Sequence, residues 1–169
     1  MSKGFTLIEI LISLAIMAVL FSTLLLGKTE SEKNLVLQRS AYQLAQDLRE
    51  TQGKSMGAEK STCNIDNKYS FGIAFNVEWT NYYILFADCD GNKDRNNNGT
   101  EDIRKIYLEK GVVISNLSPS SFFSVVFKAP EPVVYINKID WNQEAIITFI
   151  LNFQTKKIKI NSAGRIEIE

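Results

Sequence analysis

The sequence predicts an α+β fold in which one long N-terminal helix packs on an antiparallel β-sheet domain. Two patterns favour this class. Residues 5–26 form an almost unbroken apolar run, and apolar residues then continue at helical spacing to about Met56. Beyond that point apolar and polar residues alternate with a period of two, which is typical of half-buried strands. The chain is therefore expected to form a helix first and strands afterwards.

Composition limits the function classes before any motif is considered. The chain has 169 residues, of which 45% are hydrophobic and 22% are charged, enough for one membrane segment and one compact domain. Basic and acidic residues number 19 each, so no net charge attracts the protein to nucleic acid. Histidine, the commonest general base and metal ligand, is absent from the sequence. No pairing of a nucleophile with a base can be identified either, and we predict that the chain is not an enzyme.

The apolar half of the helix is predicted over residues 5–27. Its length is close to the roughly 20 residues that a helix needs to cross the hydrocarbon core, so we expect a single membrane span. Glu9 interrupts the run, and a carboxylate in a spanning helix costs about 2.5 to 3.5 kcal/mol at the centre and somewhat less near an end. Cleavage between Gly4 and Phe5 would place a new α-amino group one helical turn from Glu9, where the two charges neutralise each other.

Residues 3–9, KGFTLIE, followed by an apolar helix, resemble the leader of type IV prepilins. The resemblance implies that prepilin peptidase removes residues 1–4 and N-methylates Phe5, and that Glu9 acts in assembly. It also implies the pilin fold and a single-pass protein of the inner (cytoplasmic) membrane, with its C-terminal domain extracytoplasmic, that later enters a filament. The implied partners are the peptidase, an inner-membrane assembly platform and other pilins or pseudopilins.

The amphipathic half of the helix is predicted over residues 28–57. Its apolar residues recur at helical spacing and are expected to bury one stripe against the head: Leu37, Ala41, Leu44, Ala45 and Leu48. The charged residues between them are expected to point elsewhere: Arg39, Asp47, Arg49 and Glu50. Gly53 and Gly57 weaken the helix and predict its end.

Residues 58–169 are predicted to form a β-rich head. Strands are expected near residues 69–75, 82–87, 112–114, 122–127, 133–136 and 145–153, with a closing hairpin of residues 156–160 and 165–168. These strands form either one antiparallel sheet or two small ones. The helix segment from Arg39 to Met56, the middle loop rich in aspartate and asparagine, and the closing hairpin together resemble the GspH/FimT branch of minor pseudopilins.

The middle loop, residues 88–102, has the composition of a calcium site. Oxygen-bearing side chains occur there with glycines that permit sharp turns, and the predicted ligands are Asp88, Asp90, Asp94, Asn96, Asn98 and Asp102. Asp94 begins an EF-hand-like register, but Lys105 occupies the position of its bidentate glutamate. Such loops are also common as ordinary turns. Calcium is the one cofactor predicted, and the predicted function requires none.

Two further features each allow two interpretations. Cys63 and Cys89, the only cysteines, are predicted to form a disulfide in an exported domain, or to remain free thiols in a host that does not oxidise them. Four basic residues near the C-terminus offer a surface for nucleic acid: Lys156, Lys157, Lys159 and Arg165. Ion pairing with Glu167 and Glu169 is the favoured use of these basic residues.

Two classes of function fit these observations. The favoured class is a structural subunit, a minor pilin or pseudopilin of a type IV pilus or type II secretion filament. The alternative is a membrane-tethered, calcium-responsive binding module that does not polymerise. The first predicts a mature chain that begins at Phe5, and the second predicts an intact Met1. The sequence leaves open the choice among pilus, competence and secretion machines, the choice between major and minor subunit, and the position in the filament.

Overall fold

The computed structural model describes residues 4, 6–57, 70–128 and 133–169, with the side chains of residues 24–29 outside the description. The chain divides into two compact units, Met1–Leu35 and Val36–Glu169. Phe5 and Cys63, two of the predicted site residues, lie outside the described residues.

One helix is present among the described residues, α1, which runs over Leu7–Met56. The predicted end is confirmed: α1 passes through Gly53 and stops before Gly57, whose N–H donates to the Gly53 carbonyl at 2.8 Å. Within the described part of the chain, no helix is both long and apolar enough to cross a membrane. The span predicted over residues 5–27 is therefore not confirmed by the structure.

The described residues of the head contain nine strands. They are β1 Ser70–Asn76, β2 Tyr82–Ala87, β3 Asp102–Tyr107, β4 Val113–Ser118, β5 Phe122–Lys128, β6 Val133–Ile136, β7 Glu144–Leu151, β8 Gln154–Asn161 and β9 Ile166–Ile168. All pairings are antiparallel and give a five-stranded sheet, order β3-β2-β1-β5-β6, and a four-stranded sheet, order β4-β7-β8-β9. The α+β class is confirmed, with two small sheets rather than one.

The main core contains residues of the helix and of both sheets. The predicted stripe is buried, since none of its five residues is more than 1% exposed: Leu37, Ala41, Leu44, Ala45 and Leu48. Leu44 belongs to one apolar cluster with Phe75 and Phe123 of the five-stranded sheet and Ile147 and Phe149 of the four-stranded sheet. Burial of this stripe is what stabilises the second half of α1, because an isolated helix gains little from propensity alone.

The five-stranded sheet has a second buried face. Ala74, Phe86, Val126 and Tyr135 form a separate apolar cluster, as expected when successive residues of a strand point to opposite sides of a sheet. Gly72 is required beside this cluster, because a Cβ atom there would lie 2.7 Å from the Phe86 ring and 2.8 Å from the Val125 carbonyl oxygen.

Three local predictions differ from the structure. Strand β3 was not expected, because most of its side chains are exposed and its sequence, DIRKIY, lacks the apolar alternation of a half-buried strand. The strand predicted over residues 145–153 ends at Leu151, and Asn152 and Phe153 form a two-residue turn with φ of 46° and 70°. Asp47, expected to point away from the head, has a side chain only 13% exposed.

Candidate functional site

The start of α1 is closed by a reciprocal pair of side chains, Thr6 and Glu9. The backbone N–H and the hydroxyl of Thr6 donate to Glu9 Oε2 at 2.9 and 2.8 Å, and the Glu9 N–H donates back to Thr6 Oγ1 at 3.4 Å. This is a capping box, in which residues three apart satisfy the free donors of the first helical turn. Glu9 thus has a local structural partner in Thr6, which the spacing Thr-x-x-Glu in the sequence could have indicated.

Gly4 lies just ahead of this cap and is exposed. A Cβ atom built on Gly4 meets no atom of the described residues within 4 Å. The described fold therefore places no steric demand for glycine at this position.

The apolar half of α1 exposes its side chains all round. Eleven large apolar residues are between 52% and 76% exposed: Leu7, Ile8, Ile10, Leu11, Ile12, Leu14, Ile16, Met17, Val19, Leu20 and Phe21. Because they cover every side of the helix, no single face can be turned toward water. A large exposed apolar surface of this kind marks a site of contact with another molecule.

Fold and site together define a class of protein, with an α+β head and a capped, all-round apolar N-terminal helix that carries one carboxylate. Residues 1–25 match the family described as Prokaryotic N-terminal methylation motif, the signal of type IV prepilins. This segment contains Gly4, Phe5 and Glu9. The motif implies processing by prepilin peptidase and assembly with other pilins, and it indicates a structural pilin rather than an enzyme. No curated protein and no solved structure matches the chain, so nothing supports the finer resemblance to the GspH/FimT branch.

The acidic loop between β2 and β3 folds back on the second face of the five-stranded sheet. Lys93 Nζ lies 4.2 Å from the centre of the Tyr135 ring, and the Arg95 guanidinium lies 5.2 Å from that of Trp79. Asp94 Oδ1 accepts a hydrogen bond from the Ser124 hydroxyl of β5 at 2.7 Å. Side chains of the loop thus hold it against the sheet.

All six predicted calcium ligands accept hydrogen bonds from protein groups, and Asp94, Asn98 and Asp102 are held by separate partners rather than at one common centre. The Asp102 carboxylate accepts hydrogen bonds from Nε and Nη2 of Arg95, at 2.5 and 2.7 Å. Asp94 pairs with Lys138 at 3.1 Å, and Asn98 accepts from the N–H and hydroxyl of Thr100. The EF-hand-like register that begins at Asp94 is therefore not brought together by these side chains.

A different acidic group is brought together at the two ends of the loop. One oxygen from each of Asp88, Asp90 and Glu101 lies within 4.8 Å of the others. Asp88 is 2% and Glu101 is 3% exposed, while Asp90 is exposed. Asn96 donates to Asp90 Oδ2 at 3.1 Å. Asp88 and Asp90 were predicted ligands, but Glu101 was missed, because it falls on a position of the EF-hand register that carries no side-chain ligand.

Burial dominates the electrostatics of Asp88. Burial raises the pKa of this carboxyl to about 6. Hydrogen bonds from the backbone N–H groups of Lys93 and Gly91 lower the pKa but do not offset the effect of burial. Asp88 Oδ2 accepts the Lys93 N–H at 3.3 Å, whereas Oδ1 has no hydrogen-bond partner among the described residues. A buried carboxylate oxygen without a partner is costly, so this group calls for a proton or a cation beside it.

Cys89 lies between Asp88 and Asp90 in the sequence and is disulfide-bonded. Its N–H donates to Glu101 Oε1 at 2.9 Å. Cys63, the only other cysteine of the sequence, lies outside the described residues. The bond therefore fixes the start of the loop from one side while Glu101 holds its backbone from the other.

The basic residues near the C-terminus are partly used within their own sheet. Lys159 Nζ lies 2.7 Å from Glu169 Oε1, and Arg165 lies 2.5 Å from Glu167. These two contacts confirm the ion pairing with Glu167 and Glu169 that the sequence favoured. Lys156 and Lys157 lie on the same strand, β8, and the nucleic-acid surface stays a prediction.

Proposed function

We propose that this chain is a structural subunit, a minor pilin or pseudopilin of a type IV pilus or type II secretion filament. The observation that carries the proposal is the methylation motif over residues 1–25. In this proposal prepilin peptidase removes residues 1–4 and methylates the amine of Phe5. The apolar helix then holds the subunit in the inner membrane until an assembly platform transfers it to the filament, where apolar helices bundle.

The exposed apolar half of α1 supports this route for a physical reason. Lipid tails are as apolar as leucine, so moving the helix from lipid into a bundle gains little hydrophobic free energy. Packing and polar groups must then select the partner and its register. Glu9 is the one charged residue in residues 5–27, and it is the natural candidate to pair with the methylated amine of a neighbouring subunit.

The capping box complicates a test of Glu9, because replacing it by alanine removes the helix cap along with the charge. Glu9→Gln separates the two roles, since glutamine also completes a capping box but carries no charge. We expect Glu9→Gln and Glu9→Ala both to stay in the membrane and both to enter filaments poorly beside the wild-type subunit. Normal incorporation of Glu9→Gln would mean that Glu9 acts as a helix cap and would contradict the pairing role.

The direct test of the proposal is the N-terminal mass of the protein recovered from membranes of its host. We expect a chain that begins at Phe5 with one added methyl group. Gly4→Val is the matched variant: the described fold leaves room at Gly4, so it should fold normally and keep Met1. A wild-type chain with an intact Met1 would overturn the filament proposal.

The second candidate is the membrane-tethered, calcium-responsive binding module that does not polymerise. The group of Asp88, Asp90 and Glu101 favours it, because three carboxylates held together are the donor set of a hard cation. This candidate predicts an unprocessed N-terminus and a function that is indifferent to Glu9→Gln. The same mass measurement therefore decides between the two.

A further inference from the structure

We propose that Asp88, Asp90 and Glu101 form a calcium site at the base of the loop between β2 and β3. This site goes beyond the filament role and does not depend on it. Its ligand set also differs from the one predicted from the sequence, since it includes Glu101 and leaves out Asp94, Asn98 and Asp102.

The base of the loop is a rigid place for such a site. Asp88 follows β2 directly and Glu101 precedes β3, and these strands pair antiparallel. The Ala87 N–H donates to the Glu101 carbonyl at 3.0 Å, so the two ends of the loop are held side by side. A cation between Asp88 and Glu101 would therefore bind a preformed pair of ligands and would lose little free energy in ordering them.

Besides the proximity of the three carboxylates, a buried oxygen of Asp88 without a hydrogen-bond partner supports a cation at this place. This side chain is 98% buried, and its Oδ1 has no hydrogen-bond partner in the part of the chain that the structure describes. The basic side chains of the loop have other partners, since Lys93 lies over Tyr135 and Arg95 pairs with Asp102. The three carboxylates share one small volume beside this orphaned oxygen, an arrangement that a bound metal ion stabilises.

The donor set selects the metal. All three side chains offer oxygen, the sequence has no histidine, and Cys89 is disulfide-bonded and so supplies no thiolate. All three oxygens lie within 4.8 Å of one another, so one hard cation can contact them together. Three protein carboxylates suit Ca²⁺ better than Mg²⁺, which usually keeps several waters and binds through one or two carboxylates. The remaining coordination positions are left to water and backbone carbonyl groups.

The test is a calorimetric titration of the full chain in detergent micelles, freed of metal at neutral pH, with CaCl₂ and in parallel with MgCl₂. We expect one saturable calcium site with a Kd of about 10⁻³ M or tighter, and weaker binding of magnesium. Asp90→Asn should raise the calcium Kd at least about tenfold through the lost ligand charge. Because Asp90 is exposed, this change leaves the core intact. Asp88→Asn should act in the same direction.

Two controls make the outcome specific. Asp140→Asn removes an exposed carboxylate outside the loop and should leave the calcium Kd unchanged. Asp94→Asn removes a ligand of the EF-hand-like register, already paired with Ser124 and Lys138, and should change the Kd by less than about threefold. The proposal is overturned if the wild type shows no saturable calcium binding at about 10 mM. It is also overturned if Asp94→Asn abolishes binding while Asp90→Asn does not.

Discussion

The two halves of α1 use apolar residues in opposite ways. Leu14 in the first half is 59% exposed, and Leu44 in the second half is fully buried in the core of the head. The first half is apolar on all sides, whereas the second half alternates an apolar stripe with polar residues. Leu44 therefore stabilises the fold of its own chain, and Leu14 has surface to offer to another molecule. In the function proposed above, the second half of the helix serves folding and the first half serves assembly.

The largest expected effect comes from Leu44→Ala. Removing a fully buried leucine side chain should lower the free energy of unfolding of the head by about 2 to 5 kcal/mol, through lost burial and the cavity left behind. Tryptophan fluorescence in a denaturant titration measures it, because Trp79 and Trp141 both lie in the unit Val36–Glu169. Leu35→Ala, at a position 49% exposed, is the matched control and should be nearly neutral. Equal losses of unfolding free energy in both variants would contradict the difference between the buried and exposed leucines of α1.

Tyr83→Phe should have the next largest effect. The buried Tyr83 hydroxyl donates to Asp47 Oδ2 at 2.5 Å, so the head would lose a hydrogen bond to a charged group, about 1.5 to 3 kcal/mol near neutral pH. The same denaturant titration measures this loss. Tyr107→Phe, at an exposed tyrosine, is the control.

The loss in Tyr83→Phe should depend on pH in a defined direction. Burial raises the pKa of Asp47 above 3.8, while the Tyr83 hydrogen bond lowers it, so removing the hydroxyl raises the pKa further in the folded state. The loss is then largest where Asp47 is ionised and shrinks as the pH falls through the folded pKa toward 3.8. A loss that is constant with pH would show that Asp47 does not accept this hydrogen bond as a carboxylate.

Ser55→Ala tests a smaller polar contact near the end of the helix. The Ser55 hydroxyl accepts the buried Phe71 N–H of β1 at 3.1 Å, and alanine would leave that donor without a partner, at a cost of about 1 to 3 kcal/mol. Ser31→Ala, an exposed serine of the same helix, should be neutral or slightly stabilising. A neutral Ser55→Ala would mean that the Phe71 N–H finds another acceptor.

Leu14→Ala should have the smallest effect on stability and a clear effect on assembly. Because Leu14 is exposed, the free energy of unfolding of the head should change by less than about 0.5 kcal/mol. Incorporation into filaments, measured by sedimentation after shearing from cells, should fall because a packing contact between helices is lost. Unchanged incorporation would show that this face of the helix meets only lipid.

Local patterns account for the predictions that the structure confirms. The buried stripe from Leu37 to Leu48 follows from helical spacing, and the end of α1 follows from Gly57. Strand β3 was not predicted, because an edge strand needs no alternation of apolar and polar residues. Its position is decided by hydrogen bonds to β2, which lies elsewhere in the chain. The burial of Asp47 was not predicted for a similar reason, because it depends on Tyr83, a residue of β2.

By itself, the sequence determined the N-terminal part of this protein. The capping box, the apolar run and the methylation motif all involve residues within a few positions of one another, so spacing along the chain is enough to recognise them. Only the tertiary structure decided which acidic residues of the middle loop meet. The pairing of β2 with β3 brings Glu101 to Asp88, while Asp94 is bound by Ser124 of the sheet and Asp102 by Arg95 of the loop. Such a choice depends on which backbones pair across the sheet, and no local pattern of residues contains that information.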